Sequence, residues 1–521
     1  MKTSSCFVAF SLAGTALTYQ INTPMKMLSR SASDSLQPRA ENSTLVSPDG
    51  LMELISIDDL IGSAQKLEDF AYSYSSRNRV FGGQAHNDTI NYIYDELVAT
   101  GYYDVYFQEQ VQEYSQSNVS LTANGEDQGA ESMTYSPSGN VTAELILVSN
   151  LGCDASDFPD EVEGNIALIL RGTCTFSDKC ALAGVAGALG AVIYNNVEGS
   201  FSGTLGGSSS SIGSYVPVVG ISQANGTTLV SALPLNATLY VSSLTENRTT
   251  YNVIAETKSG NHDMVIMSGG HTDSVEAGPG INDDGSGIIG NLIVAKALTH
   301  FSITNAVRFG FWTAEEFGLL GSSYYTENLN ATEISRIKGY LNMDMIASPN
   351  YVYGIYDGDG DAFNSSGPAG SGDIELKFQE YFNKSGLAYN ASAFDGRSDY
   401  YGFIEAGIAS GGLFTGAEDL KSEEEAALFG GEAGVAYDVN YHAAGDNMTN
   451  LAKVAFEVNT KAIAYVIGTY AADMDSLTNS TVSIASRKGR RGISPGQPSY
   501  FPRRSAGKTP GKVNGEWIAR Y

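Results

Sequence analysis

Two histidines, His271 and His442, stand among glycines and acids, and the chain around them holds the side chains best suited to chemistry. The first context reads Gly269-Gly270-His271-Thr272-Asp273-Ser274, followed by Asn282-Asp283-Asp284-Gly285. The others are Thr313-Ala314-Glu315-Glu316, Asn342-Met343-Asp344-Met345 and Tyr441-His442-Ala443-Ala444-Gly445-Asp446. A neutral imidazole with several carboxylates is a donor set suited to Zn2+. One carboxylate is able to bridge two ions, and two ions about 3.5–4 Å apart activate water and clamp the tetrahedral stage of amide hydrolysis. Asp273, two residues past His271, is placed to accept from the ring and orient it. Adjacent Glu315 and Glu316 point in different directions, so one can bind metal while the other serves as general base. Asp344, among apolar neighbours, is costly to bury unless paired or metal-bound. Each context alone has a plainer reading: a hydrogen-bonded histidine, a turn, a solvated acidic loop, a helix cap. Their joint occurrence is what points to a metal site.

The elements that must position these residues are also readable. An apolar strand over 265–267 leads to His271, one over 307–312 leads to Glu315 and Glu316, and one within 337–343 leads to Asp344. Asp283 precedes a helical stripe of Ile288, Ile289, Leu292, Ile293 and Leu298. Earlier, Leu60, Ala64, Leu67 and Ala71, then Ile90, Ile93 and Leu97, recur at helical spacing and feed a strand near 105–107. Ile374, Phe378 and Phe382 mark another helix, and Leu451, Val454, Val458, Ala462 and Val466 a last long one. Strand–helix alternation predicts an α/β domain, a mixed central sheet flanked by helices, with ligands beyond the carboxyl ends of the strands. Residues 118–247 differ in character. Short β runs at 145–148, 166–170, 191–194 and 216–219, with a small-residue helix at 181–188, predict a separate β-rich module.

The segment from Gly269 to His442 resembles the M28 zinc peptidases, in particular the fungal secreted leucine aminopeptidases and vacuolar aminopeptidase Y. The resemblance extends over about 55–473 and includes an inserted protease-associated (PA) domain. That insert is marked by Asn150-Leu151-Gly152-Cys153, Asp157-Phe158-Pro159, Arg171-Gly172-Thr173-Cys174-Thr175-Phe176, Ala186-Gly187-Ala188 and Ile193-Tyr194-Asn195-Asn196. The resemblance implies two zinc ions per chain on a zinc-exopeptidase type of fold. His271 and Asp344 would ligate one ion, Glu316 and His442 the other, and Asp283 both. Glu315 would be the general base, Asp273 would orient His271, and Tyr441 would stabilise the oxyanion. Many relatives carry Cys-Tyr-His-x-x-Cys-Asp around the last ligand, whereas this chain has Asn440 and Gly445 at the cysteine positions. The loop bearing His442 is therefore expected to be looser.

The 521 residues divide, on this reading, into a signal peptide (1–17), a leader or propeptide (18–49), a first catalytic part (50–117), the PA insert (118–247), a second catalytic part (248–475) and a basic tail (481–521). The signal and thirteen Asn-x-Ser/Thr sites point to a secreted glycoprotein carrying N-linked glycans, with the vacuole as the alternative. A net charge of −28 disfavours nucleic acid and anionic membranes, and no stretch is long and apolar enough for a membrane anchor. Once Cys6 leaves with the signal, Cys153, Cys174 and Cys180 allow at most one bridge. The activity that the resemblance implies is that of an aminopeptidase, a zinc metalloprotease acting on peptide or protein substrates with a free N-terminus and favouring large apolar first residues such as Leu; the sequence leaves the oligomeric state open, with a monomer favoured. Alternatives are a dipeptidase or carboxypeptidase on the same scaffold, or a non-enzymatic binding protein that keeps the fold.

Overall fold

The computed structural model describes residues 44–478, except 198 and 200. The signal peptide, most of the leader, the sequons at Asn42 and Asn479 and the basic tail lie outside the described residues.

The catalytic unit is built on a mixed sheet. Its strands run, side by side, Asn390–Ser392, Gly354–Tyr356, Ser410–Phe414, Ile337–Met343, Asn261–His271, Asn305–Trp312 and Asn236–Thr257. Asn261–His271 pairs in parallel with Asn305–Trp312 on one side and with Ile337–Met343 on the other. Asn236–Thr257 closes that side antiparallel. The alternation of side chains sorts two cores. Ile266, Val307, Phe309, Phe311, Leu341 and Met343 face the larger one. Met267, Trp312 and Tyr340 face the other, against Tyr400 and Phe403.

The helix Gly285–Leu298 is apolar nearly all round because it is buried between the sheet, the helix Ile57–Tyr72 and the long helix Lys453–Ala472. Asp284 caps it by accepting from Gly287 N. Gly287 is required there, since a Cβ would come within 2.0 Å of Met343 O. The helix thereby lies hard against the strand end that leads to Asp344.

The β-rich module hangs from a two-stranded ribbon. Tyr103–Ala123 pairs antiparallel with Asn236–Thr257, from Tyr103↔Thr257 to Ala123↔Ala237. Because Phe311 pairs with Val253, the ribbon runs past Trp312 as it approaches Asn236. It leaves the sheet at the end where His271, Glu315 and Asp344 emerge. Beyond it, Gly139–Leu147, Ile166–Leu170, Gly190–Tyr194 and Val218–Ile221 pair in parallel, with the helices Phe176–Val185 and Gln223–Ala232 packed on them. Cys153 and Cys174 form a disulfide in this module, and Cys180 is free and buried.

The boundaries read at 49/50, 117/118 and 247/248 fall inside ordered elements. The folded body already includes Leu45 and Val46, assigned above to the leader: Val46 is buried, Leu45 bridges Ser302, and Ser47 caps the helix Pro48–Met52. The ribbon strands also run unbroken through 118 and 247, so the insert has no loop at those positions.

Candidate active site

Three neighbouring parallel strands end at one edge of the sheet and deliver three of the chemical contexts together. His271 is the last residue of its strand and is paired with Trp312. Glu315 and Glu316 follow Trp312 through Ala314, whose φ is +56°. Asp344 follows the strand Ile337–Met343. Asp283 arrives from the loop before the helix Gly285–Leu298, and the Asp283–Asp284 peptide is cis. His442 comes from the loop after Asp438, with φ +54°.

These side chains converge. His271 Nε2 lies 3.1 Å from Asp283 Oδ1, 3.7 Å from Asp344 Oδ1 and 3.9 Å from Glu315 Oε2. His442 Nε2 lies 3.0 Å from Glu316 Oε2 and 3.3 Å from Asp283 Oδ2. Asp283 thus offers one oxygen to each histidine. Ligand atoms of His271, Asp283 and Glu316 lie within 4.8 Å of one another, as do those of His271, Glu315 and Asp344. The second of these groups includes Glu315, the expected base, in place of a bridging acid. His271 Nε2 is closer to Asp283 than to Glu315.

The donor set fits a pair of divalent cations. Glu316 Oε1 and Asp344 Oδ1 are buried and accept no hydrogen bond, an arrangement that is costly unless a cation satisfies them. The histidines register the same excess of negative charge. Burial opposes a charged His271 ring, yet the carboxylates of Glu315, Asp273, Asp283 and Asp344 hold its proton affinity well above the ordinary value. Burial likewise opposes the His442 charge, but Glu316 and Asp283 push its pKa up to about 10. Although 38% of the His442 side chain is solvent-accessible, Nε2 is the atom that faces these acids.

The supporting groups show how the first layer is held. His271 Nδ1 is 3.2 Å from the main-chain carbonyl of Asp273, and 3.7 Å from its carboxylate. The backbone oxygen is thus placed to accept the Nδ1 proton, which would leave Nε2 to bind a metal ion. The Asp273 carboxylate instead accepts from Glu315 N at 3.1 Å. Asp273 thus contacts the His271 ring through its backbone oxygen, while its carboxylate accepts from the main chain of Glu315. Tyr441 stacks on His442, ring centroids 3.8 Å apart, and its hydroxyl oxygen accepts from Arg397 Nη2 at 3.1 Å. Burial keeps that phenol protonated, with a pKa well above its usual value.

Sequence reasoning gave no role to several residues that complete the site. Asp284 accepts from His271 N, Gly287 N and Met345 N, tying three of the converging segments. Ser398 donates to Asp344 Oδ2 at 2.5 Å. Arg397 is fixed by both oxygens of Glu418. Asp446 accepts from Asn282 N at 2.8 Å and Asp283 N at 3.0 Å. Asp284 and Asp446 were visible beside the ligands; nothing in the spacing marked Arg397 or Ser398.

The loop around His442 is closed without cysteines. Asn440 Nδ2 donates to Asn450 Oδ1 at 2.7 Å, and Asn450 in turn donates to Asp438 and Asp446. The Asn440 carboxamide fills the space over Gly445, where a Cβ would meet its Oδ1 at 2.0 Å. Hydrogen bonds thus close the loop that was expected to be looser.

Of the remaining histidines, His86 is buried against Thr272 and Thr313, and His262 pairs with Glu256 at the strands' other end. A third acidic group, Asp357, Asp359 and Asp361, reads as structural. The Asp357 carboxylate already accepts from the main-chain N–H groups of Gly360, Asp361, Ala362 and Phe363.

Comparisons with known proteins agree with this geometry. Residues 252–467 match the model of Peptidase family M28, and residues 141–229 match that of the PA domain. The chain is 58% identical over 435 residues to a probable leucine aminopeptidase 2 of Aspergillus fumigatus, covering 83% of this chain and 87% of that one. It is 50% identical over 462 residues to leucine aminopeptidase 2 of Trichophyton rubrum, covering 88% and 92%. Among solved structures, an aminopeptidase from Aneurinibacillus sp. strain AM-1 superposes with a TM-score of 0.67 at 28% identity, covering 82% of this chain and 96% of that one. BSAP, a zinc aminopeptidase from Bacillus subtilis, gives 0.60 at 25% identity, covering 79% and 94%. The match to the family model, the PA insertion and the converging imidazoles and carboxylates lead to one conclusion: the chain belongs to peptidase family M28, as a zinc-dependent metallopeptidase whose catalytic unit is interrupted by a PA domain.

Proposed function

We propose that this metallo-aminopeptidase is secreted and removes single residues, large apolar ones such as leucine above all, from the free amino end of peptides. His271 and Asp344 would hold one zinc ion, Glu316 and His442 the other, and Asp283 would contribute an oxygen to each. A zinc pair supplies Lewis-acid polarisation of the scissile carbonyl and makes water nucleophilic near neutral pH. The protein's own groups do the rest. Glu315, held through its amide by Asp273, takes the proton of the attacking water on its carboxylate and returns it to the nitrogen of the leaving amine. Tyr441 already accepts from Arg397, so its own proton is available to the oxygen that becomes negative.

The observation that carries the reading is the pair of oxygens on Asp283, one turned to each histidine, with the Glu315 carboxylate beside them. The leucine preference rests on relatives named leucine aminopeptidase 2. Secretion rests on the apolar start of the chain, on its sequons and on the Cys153–Cys174 disulfide, which suits an oxidising compartment. Among the described residues no helix is long and apolar enough to cross a membrane.

Elemental analysis of the purified protein, combined with hydrolysis of leucine anilide and its N-acetyl form, tests the proposal. Two zinc ions per chain and cleavage of the unblocked compound alone are expected. Equal cleavage of the blocked compound would exclude aminopeptidase action.

A further inference from the structure

The loop from Thr272 to Gly280 joins His271 to the segment that bears Asp283. It carries Asp273, whose main-chain oxygen holds the His271 ring and whose carboxylate holds the Glu315 amide. It also carries Val275, which lies beside Gly280, Asp283, Glu316 and His442. The loop belongs to no helix or strand, so its carbonyls need donors from elsewhere.

Arg79 supplies them. Its Nε donates to Pro279 O at 2.7 Å, Nη2 to Gly280 O at 2.5 Å, and Nη1 to Thr272 O. Its main-chain N–H donates to Ser274 Oγ at 2.9 Å, and the neighbouring Asn78 side chain donates to Glu276 O at 2.9 Å. The guanidinium is fully buried, and its donors go to carbonyls rather than to a carboxylate. Burying such a group is costly, and an apolar side chain would fill the same space without that cost. What the guanidinium adds is a planar fork that fixes both ends of the loop at once, and a positive charge in the field of Asp273, Asp446, Asp284 and Asp283. That charge offsets part of the repulsion among the acids gathered for the metals. Arg79 lies outside residues 252–467, the part that matches the M28 model, so this support comes from the segment ahead of the PA insert.

We propose that Arg79 is a positioning residue of the metal centre: by holding the carbonyls of Thr272, Pro279 and Gly280, it sets His271, Asp283 and Glu315 relative to one another. The proposal rests on the dinuclear zinc reading given above.

Arg79→Met removes the fork and the charge but keeps most of the volume, and Arg79→Lys keeps only the charge. Full-length proteins are compared by circular dichroism, by zinc competition against a chelator, and by kcat and KM measured separately. For Arg79→Met, zinc affinity and kcat are each expected to fall about 10–100-fold, as for other groups that orient metal ligands, with KM little changed. Arg79→Lys should fall between it and the wild type. A folded Arg79→Met that loses thermal stability but keeps wild-type zinc affinity overturns the proposal. Should Arg79→Met not fold, Arg79→Lys decides: wild-type zinc affinity and kcat in that variant overturn it equally. Failure of the wild-type protein to bind zinc would instead refute the dinuclear reading.

Discussion

Glu315→Gln separates chemistry from metal binding. The substitution keeps shape and keeps the main-chain bond from Glu315 N to Asp273, while removing the ability to carry a proton. Glu316 contacts His442 at 3.0 Å, whereas Glu315 comes no nearer than 3.9 Å to His271, so the ligand of the adjacent pair should remain in place. Burial pushes the proton affinity of Glu315 well above that of an ordinary carboxylate, with Asp399, Asp344 and Glu316 adding to it and His271 opposing. General acid–base catalysis contributes about 10²–10⁴ in rate, or roughly 3–5 kcal/mol of transition-state stabilisation. The expected outcome is a kcat lowered by that factor on leucine anilide, with zinc content and KM close to the wild type. Near-normal turnover would show that the base is another group. Loss of zinc together with rate would exchange the roles of Glu315 and Glu316.

Asp283→Asn replaces one of the two oxygens that face the histidines with an amide nitrogen, so chelator titration should show both ions weakened; loss of one ion alone would mean that Asp283 does not bridge. Gly445→Ala drives a methyl into Asn440 Oδ1, and the overpacking should cost about 1–3 kcal/mol in urea unfolding, partly recovered in the Asn440→Ala double variant. Strict additivity of the two changes would exclude a contact between them. Burial lowers the pKa of His86 from 6.5 to about 4, so the unfolded chain binds the extra proton in that window and stability is lost as pH falls through it. The loss amounts to at most about 3 kcal/mol, and His86→Asn should flatten the urea midpoint between those pH values; an unchanged slope would assign the acid sensitivity to other groups.

The α/β architecture was legible because short apolar strand runs alternate with helical stripes such as Ile288 to Leu298, and acids or a histidine follow the runs that lead to the site within four residues. A metal site was legible in the joint occurrence of His271, Glu315, Glu316 and Asp344 at element ends, while the division of roles among them came only from the family resemblance. The contacts that hold those ligands were not legible. Arg79 and His271 are far apart in sequence, and a guanidinium that donates to three carbonyls leaves no pattern in residue type. Arg397 reaches Tyr441 from a loop with no periodicity at all. The role of Asp273 divided between its backbone and its side chain, a distinction that residue identity does not encode. The ribbon was half legible. A strand near 105–107 was expected, but its continuation to Ala123 depends on pairing with Asn236–Thr257, a partner more than a hundred residues away.

The absence of cysteines beside His442 has a consequence for the metal centre. The only disulfide among the described residues, Cys153–Cys174, lies in the PA module. The active-site loop is closed by Asp438, Asn440, Asn450 and Asp446, whose donors and acceptors do not depend on redox state. Asp446 extends that closure to Asn282 and Asp283, so one carboxylate holds the His442 loop to the segment bearing the bridging acid. A covalent bridge between Asn440 and Gly445 positions would close the loop on itself but make no tie to Asp283. The hydrogen-bonded form makes both, and leaves the metal centre independent of thiol chemistry while the inserted module remains open to it.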